Sequence, residues 1–167
     1  MKWIMVIIGL ILLAGCALDD AATVESKIEL TPYLVESSAN VGDDIELKIL
    51  VDECTEPIFG LCLQLEYNEE YLYYDNQSEI VTGEIFSDNS LVFVQSENGI
   101  VHISMTLQQD EELVANTGML CQLTFNCENA GITQFNIIQS EINAYDEDGN
   151  LIECEYQVSQ EAELEIN

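Results

Sequence analysis

The chain contains no arginine and only three lysines, Lys2, Lys27 and Lys48, against 32 aspartates and glutamates. Binding to a phosphate backbone depends on Lys and Arg neutralising phosphates, so this shortage excludes nucleic acid as a partner. Anionic lipid headgroups are poor partners for the same reason. Histidine is nearly absent too: His102 is the only one. Any Ser-His or Cys-His nucleophile would have to be built around that single ring. Tryptophan occurs once, as Trp3, and proline twice, as Pro32 and Pro57, so long extended segments run uninterrupted. High net charge is a mark of disorder, yet the chain beyond residue 26 is rich in Ile, Leu, Val, Tyr and Phe, and such a composition can bury a core.

The N-terminal segment carries a targeting signal. Met1-Lys2 is a minimal positive region, Trp3 to Ala14 is an apolar run broken only by Gly9, and Leu13-Ala14-Gly15-Cys16 follows it. A bilayer span needs about 20 apolar residues, more than this run supplies. The tetrad resembles the bacterial lipobox, whose cysteine thiol is acylated and becomes the new N-terminus after cleavage; the alternative is an ordinary signal peptide that happens to end in Cys. The expected organisation is a lipoprotein signal peptide at 1–15, a lipidated Cys16 with a short tether at 16–26, and one domain at 27–167. Two or three acyl chains of the palmitate type anchor stably where one is marginal. The expected location is therefore extracytoplasmic, on a bacterial cell membrane, with the lipid as the sole membrane contact. Cleavage removes Lys2, leaving two lysines against 32 acids and a formal charge of −30. Such acidity gives solubility through self-repulsion, or attraction toward a basic or calcium-loaded partner.

Within 27–167 the dominant period is two. Ile45, Leu47, Ile49 and Val51 alternate with largely polar neighbours, as do Leu61, Leu63, Leu65 and Tyr67. Val101, Ile103, Met105 and Leu107 repeat the pattern, and so do Cys121, Leu123, Phe125 and Cys127. Strands with one apolar and one polar face belong to antiparallel sheets packed by a single face, and several at short spacing predict an all-β sandwich. No long segment has helical periodicity; Glu69 to Leu72 and Asp110 to Val114 each have room for a single helical turn.

Asn98-Gly99 is a strong hairpin signal, and a two-residue loop pairs its flanking residues, so Glu97 opposes Ile100. Counting outward, Val94 faces Ile103 and Val92 faces Met105 on the core side. Leu91, Phe93 and Gln95 then oppose Thr106, Ser104 and His102 on the other. That leaves two apolar side chains on an otherwise hydrogen-bonding face, either buried by a loop or a slipped register, or free to anchor a protein partner.

The remaining motifs point away from catalysis. His102 is predicted on an open sheet face, and no two carboxylates are placed across a cleft as glycoside hydrolysis requires. Asp146, Asp148 and Asn150 have the odd-position spacing of a calcium loop, but its twelfth position is Gln157 where an EF-hand needs Glu, so a turn is expected and no metal site. Five cysteines remain besides Cys16. Cys121 and Cys127 lie roughly 20 Å apart along one extended strand, and a disulfide needs less than about 7 Å. Cys54 and Cys62 flank a connection, but the loop position read for Cys54 and the outward-facing Cys62 count against a bridge between them, and mostly reduced thiols are expected.

Together these segments resemble a cohesin domain. The matching pieces run in order: Val41-Gly42-Asp43, Phe59-Gly60-Leu61, Tyr67-Asn68-Glu69-Glu70-Tyr71-Leu72, Gly83-Glu84-Ile85-Phe86-Ser87, Leu120 to Phe125, Ala130-Gly131-Ile132-Thr133 and Asp148 to Ile152. Where the family usually has Asp-Pro, this chain has Asn68-Glu69. The resemblance implies a nine-stranded jelly-roll β-sandwich, similar also to carbohydrate-binding modules, with no catalytic residue and no cofactor of its own. It further implies a cell-surface docking module that grips a calcium-loaded dockerin-bearing protein in polysaccharide degradation. The implied binding face comprises Gly60, Cys62, Gln64 and Glu66, the set Leu91, Phe93, Gln95, His102, Ser104 and Thr106, and part of 132 to 138. Direct binding of polysaccharide is the alternative, carried by the tyrosines around Tyr71, Tyr73 and Tyr74.

Overall fold

The computed structural model describes residues 27–55, 57–86, 90–108, 117–145 and 150–167. Cys16 with its signal segment, Asp110 to Val114, and Asp146 and Asp148 lie outside the described residues. Twelve strands and no helix occur among the described residues. In chain order they are β1 (Lys27–Leu34), β2 (Ser38–Ala39), β3 (Asp44–Cys54), β4 (Ile58–Glu66), β5 (Leu72–Tyr73) and β6 (Val81–Thr82). The second half supplies β7 (Leu91–Glu97), β8 (Ile100–Thr106), β9 (Gly118–Cys127), β10 (Gly131–Tyr145), β11 (Leu151–Val158) and β12 (Ala162–Ile166). β2, β5 and β6 are two-residue pairings; the other nine are the longer strands that the jelly-roll expectation called for.

Hydrogen-bonded neighbours follow the order β5-β9-β3-β1-β11-β10-β4-β8-β7. β11 turns this path into two layers. Its first half, from Leu151 to Cys154, pairs antiparallel with β10, and its second half, from Glu155 to Val158, pairs parallel with β1. β10 is divided similarly: Gly131 to Phe135 pair with β12, whereas Asn136 to Ala144 pair with β4. The divided strands are physically required, because a flat sheet of nine strands leaves its apolar face wet, while a folded one buries that face against itself.

The alternating residues fill one shared core. Ile45, Leu47, Ile49 and Val51 from β3, Leu61, Leu63 and Leu65 from β4, Val101, Ile103 and Met105 from β8, and Leu123, Phe125 and Cys127 from β9 are all buried. Phe125 is the centre of an aromatic cluster, with ring centroids 5.1 Å from Tyr67, 5.2 Å from Tyr74 and 4.9 Å from Phe135, in tilted or edge-on geometries that favour ring quadrupoles. One buried polar contact crosses the β1 side: the Thr31 hydroxyl meets the Asp52 carboxylate and the Ser159 hydroxyl.

The hairpin of β7 and β8 has the register counted from Asn98-Gly99, from Glu97 opposite Ile100 out to Leu91 opposite Thr106. Both turn residues have positive φ, 53° and 74°, as a two-residue hairpin loop of this type requires. A Cβ on Gly99 would lie 2.8 Å from the Tyr67 carbonyl oxygen, so the turn also depends on glycine for space. The chain after Tyr67 forms one turn, with the Leu72 amide donating to the Asn68 carbonyl at 3.1 Å before β5 begins. Cys54 ends β3 opposite Ile28 instead of lying in a loop.

Truncating Phe125 to Ala should cost about 3–5 kcal/mol, read as a lower urea midpoint, because three rings would lose their common partner. Phe93→Ala, at a position 68 % exposed, should stay within about 0.5 kcal/mol of the parent. Equal losses in both variants would contradict this division of core from surface.

Candidate functional site

The outward side of the layer β10-β4-β8-β7 collects the side chains that alternate with the core. Cross-strand pairing sets them in four rows: Leu91, Thr106, Gly60 and Asn143; Phe93, Ser104, Cys62 and Glu141; Gln95, His102, Gln64 and Gln139; Glu97, Ile100, Glu66 and Asn136. With strands about 4.8 Å apart and residues about 3.4 Å apart along them, the face measures roughly 15 by 20 Å. All ten residues expected on it from β4, β7 and β8 share this one face. Leu91 is 46 % exposed and Phe93 68 %, so neither is tucked into the core.

Two details differ from the sequence reading. The contribution of β10 comes from Gln139, Glu141 and Asn143 more than from 132 to 138. Ile138 is an extra residue in the pairing with β4, a bulge that lies within the half of β10 held by β4, just beyond the change of partner between Phe135 and Asn136. Gly60 is buried rather than presented to solvent. Its missing side chain leaves the floor of an apolar hollow of about 220 Å³, bordered by Phe93, Cys62, Thr106 and Asn143. A Cβ there would come within 3.2 Å of the Met105 carbonyl oxygen and 3.3 Å of Thr106 Oγ1. Cys62 is exposed in the middle of the face and hydrogen-bonds Ser104 Oγ at 3.2 Å, so it is not bridged to Cys54.

The tyrosines do not build a platform. Tyr74 is 4 % exposed and packs on Phe125, and Tyr71 lies edge-on against Gly131, where a Cβ would meet its Cε1 at 2.4 Å. Of these three, Tyr73, 52 % exposed, offers its ring to solvent. Among the described residues no group of three or more His, Cys, Asp or Glu is arranged to hold a metal. Lys27 makes the ion pairs found among them, with Glu53 at 3.5 Å and Glu29 at 4.0 Å. Burial pushes the Cys121 thiol up to about 12 and raises Cys127 as well; both behave as small apolar groups.

The architecture is that of a β-sandwich with an open sheet face of mixed apolar and hydrogen-bonding side chains. A family model described as the cohesin domain matches residues 33–166. The chain belongs to the cohesin domain family. Among solved structures it is similar to the cohesin module of a family 33 glycoside hydrolase from Clostridium perfringens, at 18 % identity and TM-score 0.67, covering 85 % of this chain and 98 % of that one. A non-cellulosomal cohesin from the archaeon Archaeoglobus fulgidus matches at 19 % identity and TM-score 0.63, over 83 % and 91 %. A type I cohesin-dockerin complex from Clostridium thermocellum matches at 16 % identity and TM-score 0.68, over 89 % and 98 %. No curated protein matches the chain.

The two kinds of cysteine should separate chemically. Brief alkylation of the folded protein near pH 8 should modify Cys62 and spare Cys121 and Cys127, with all three labelled after denaturation; mass mapping that finds Cys121 labelled first would refute the burial assignment.

Proposed function

We propose that this chain is a surface-docking module that binds a dockerin-type, calcium-loaded protein through the outward face of β10-β4-β8-β7. Cohesin domains are protein-interaction modules, and one of the structures this chain resembles is a cohesin-dockerin complex. The observation that carries the reading is Phe93. A large ring 68 % exposed, standing beside a glycine-floored apolar hollow, with Ser104 opposite it and Gln95 and His102 in the next row, has the composition of an anchor residue with hydrogen-bonding neighbours. Calcium belongs to the partner in this scheme. Catalysis has no place in it: His102 stands in a row of glutamines, with no nucleophile and orienting group assembled around it.

The membrane arrangement is part of the same proposal. Cys16 carries the lipid, residues 17–26 are the tether, and the sandwich stands extracytoplasmically within a few tens of ångströms of the bilayer, since each extended residue spans at most about 3.5 Å. The sequence Leu13-Ala14-Gly15-Cys16 supports this. In such a position the module would hold a polysaccharide-degrading enzyme or scaffold at the cell surface.

Two measurements test these statements. Replacing Cys16 with Ala should abolish incorporation of labelled palmitate and release the protein from the membrane fraction; unchanged labelling would rule out this thiol as the anchor. For the partner, the domain of residues 22–167 should capture a dockerin-bearing protein from the native secretome with calcium and lose it in chelator. Phe93→Ala should weaken that capture by about 2 kcal/mol, some thirtyfold. Calcium-independent retention on insoluble polysaccharide, unaffected by Phe93→Ala, would instead favour direct carbohydrate binding.

A further inference from the structure

β7 is the last strand of its layer, and its outer edge is open along most of its length. Glu97 and Ile100 flank the two-residue turn and so form a hydrogen-bonded pair, after which bonded and non-bonded pairs alternate. The backbone groups of Leu91, Phe93 and Gln95 therefore bond to β8, and those of Val92, Val94 and Ser96 point away from it. Ser96 is already met: its N–H donates to Asn76 Oδ1, and Asn76 Nδ2 donates to its carbonyl at 3.1 Å. That side-chain amide copies one residue of a neighbouring strand and closes the edge at the turn end. Among the described residues nothing bonds the outward N–H and C=O groups of Val92 and Val94.

The core is unfinished at the same place. Val92 and Val94 face inward, yet both are only partly buried, since among the described residues no strand lies beyond β7 to cover them. Open edges are usually blunted by a charge, a proline or a bulge. The run from Ser90 to Ser96 contains no Asp, Glu, Lys or Pro, and its pairing with β8 has no bulge. β9, in the other layer, has β5 and β6 laid along it. A strand edge repeats its outward donor and acceptor about every 6.8 Å, a spacing that another extended backbone reproduces. Side chains then decide which polypeptide fits. Alternate residues of an added strand would lie over Val92 and Val94, where apolar groups gain. The residues between them would stand beside Leu91 and Phe93, 46 % and 68 % exposed, with Glu97 further along the same side. Lysine or arginine suits those positions: the stem covers apolar surface, the cation is attracted to the Phe93 ring, and the head is drawn to Glu97 and to Asp75 beside the capping Asn76. A second copy of this chain brings the same large negative charge and no basic residue on its own β7.

We infer that the edge of β7 from Leu91 to Gln95 accepts an extended segment of a second protein, alternating basic with apolar residues, as an added strand. This inference does not depend on what docks on the sheet face. Amide hydrogen exchange, followed by NMR on the full chain in uncharged detergent, tests it. In the free protein the Phe93 and Gln95 amides should exchange slowly and those of Val92 and Val94 quickly. A short blocked peptide alternating lysine with valine should slow exchange at Val92 and Val94 saturably, by about tenfold or more. Its counterpart with glutamate in place of lysine should not. N-methylating one alternate set of the peptide's amides should abolish the protection and N-methylating the other set should spare it, since only one set faces β7. Val94→Pro removes an outward N–H and should weaken the peptide about tenfold or more while Phe93 and Gln95 stay protected; the methylated peptides give the same test on the unaltered chain. Fast exchange at Phe93 with slow exchange at Val94, equal protection by the acidic peptide, or indifference to methylation of either set would each overturn the inference. Protection of Val92 and Val94 that appears in high salt with rising protein concentration alone would overturn it too, by assigning the edge to a second copy.

Discussion

Burial of Leu61, Leu63 and Leu65 on β4 and of Val101, Ile103 and Met105 on β8 fixes more than stability. Each such side chain contributes about 1.5–3 kcal/mol when fully removed from water. Because successive side chains on a strand point to opposite faces, the same burial forces Cys62, Gln64 and Glu66, and His102, Ser104 and Thr106, to the outside. A slip of one residue would turn every leucine outward and every polar group inward, so the register is held by the whole core at once. The outer face thus has its composition imposed from within. Phe93 is exposed for the same reason: Val92 and Val94, its neighbours on β7, pack against the core, and their partners Met105 and Ile103 are buried.

How much of this could be read from the chain depends on the range of the interaction responsible. The β7-β8 hairpin was fully legible, because Asn98-Gly99 sets a two-residue turn and all later pairs follow by counting. The core faces of β3, β4, β8 and β9 were legible from their period of two. The interruptions of that pairing were not. In β9 both Leu120 and Cys121 are buried, since the pairing with β3 skips a residue between Cys121 and Met119. In β10 Ile138 is skipped against β4. Bulges of this kind arise from strain between long strands that must curl and change partners, and no local pattern encodes them. The division of β10 between β12 and β4 moved the expected contribution of 132 to 138 along to 139 to 143. The tyrosines misled for a related reason: exposure of Tyr74 was decided by Phe125, about fifty positions away.

Charge adds a second constraint to the face. Lys27 and Lys48 cannot neutralise the 29 carboxylates that lie beyond residue 26, and the ion pairs among the described residues involve Lys27 alone. The molecule therefore carries a strong negative field that draws cationic partners from a distance and falls off over about 8 Å at physiological ionic strength. The same field guards the sheet edge. β7 is the last strand of its layer, and an exposed edge bearing Leu91 and Phe93 is a template for pairing with another strand. A second copy of this chain arrives with the same large negative charge and is repelled, whereas a basic partner is not. Affinity and selection then come from different groups. In the proposed docking, the apolar contact at Phe93 would be little affected by salt and would govern how long a complex lasts, while the carboxylates would govern which molecules approach, through association rates that salt suppresses. A surface with the ring alone would invite self-association, and a surface with the carboxylates alone would bind weakly and reversibly to any cation. In the proposed docking, their combination on one sheet would confine strong binding to partners that present both an apolar group and positive charge.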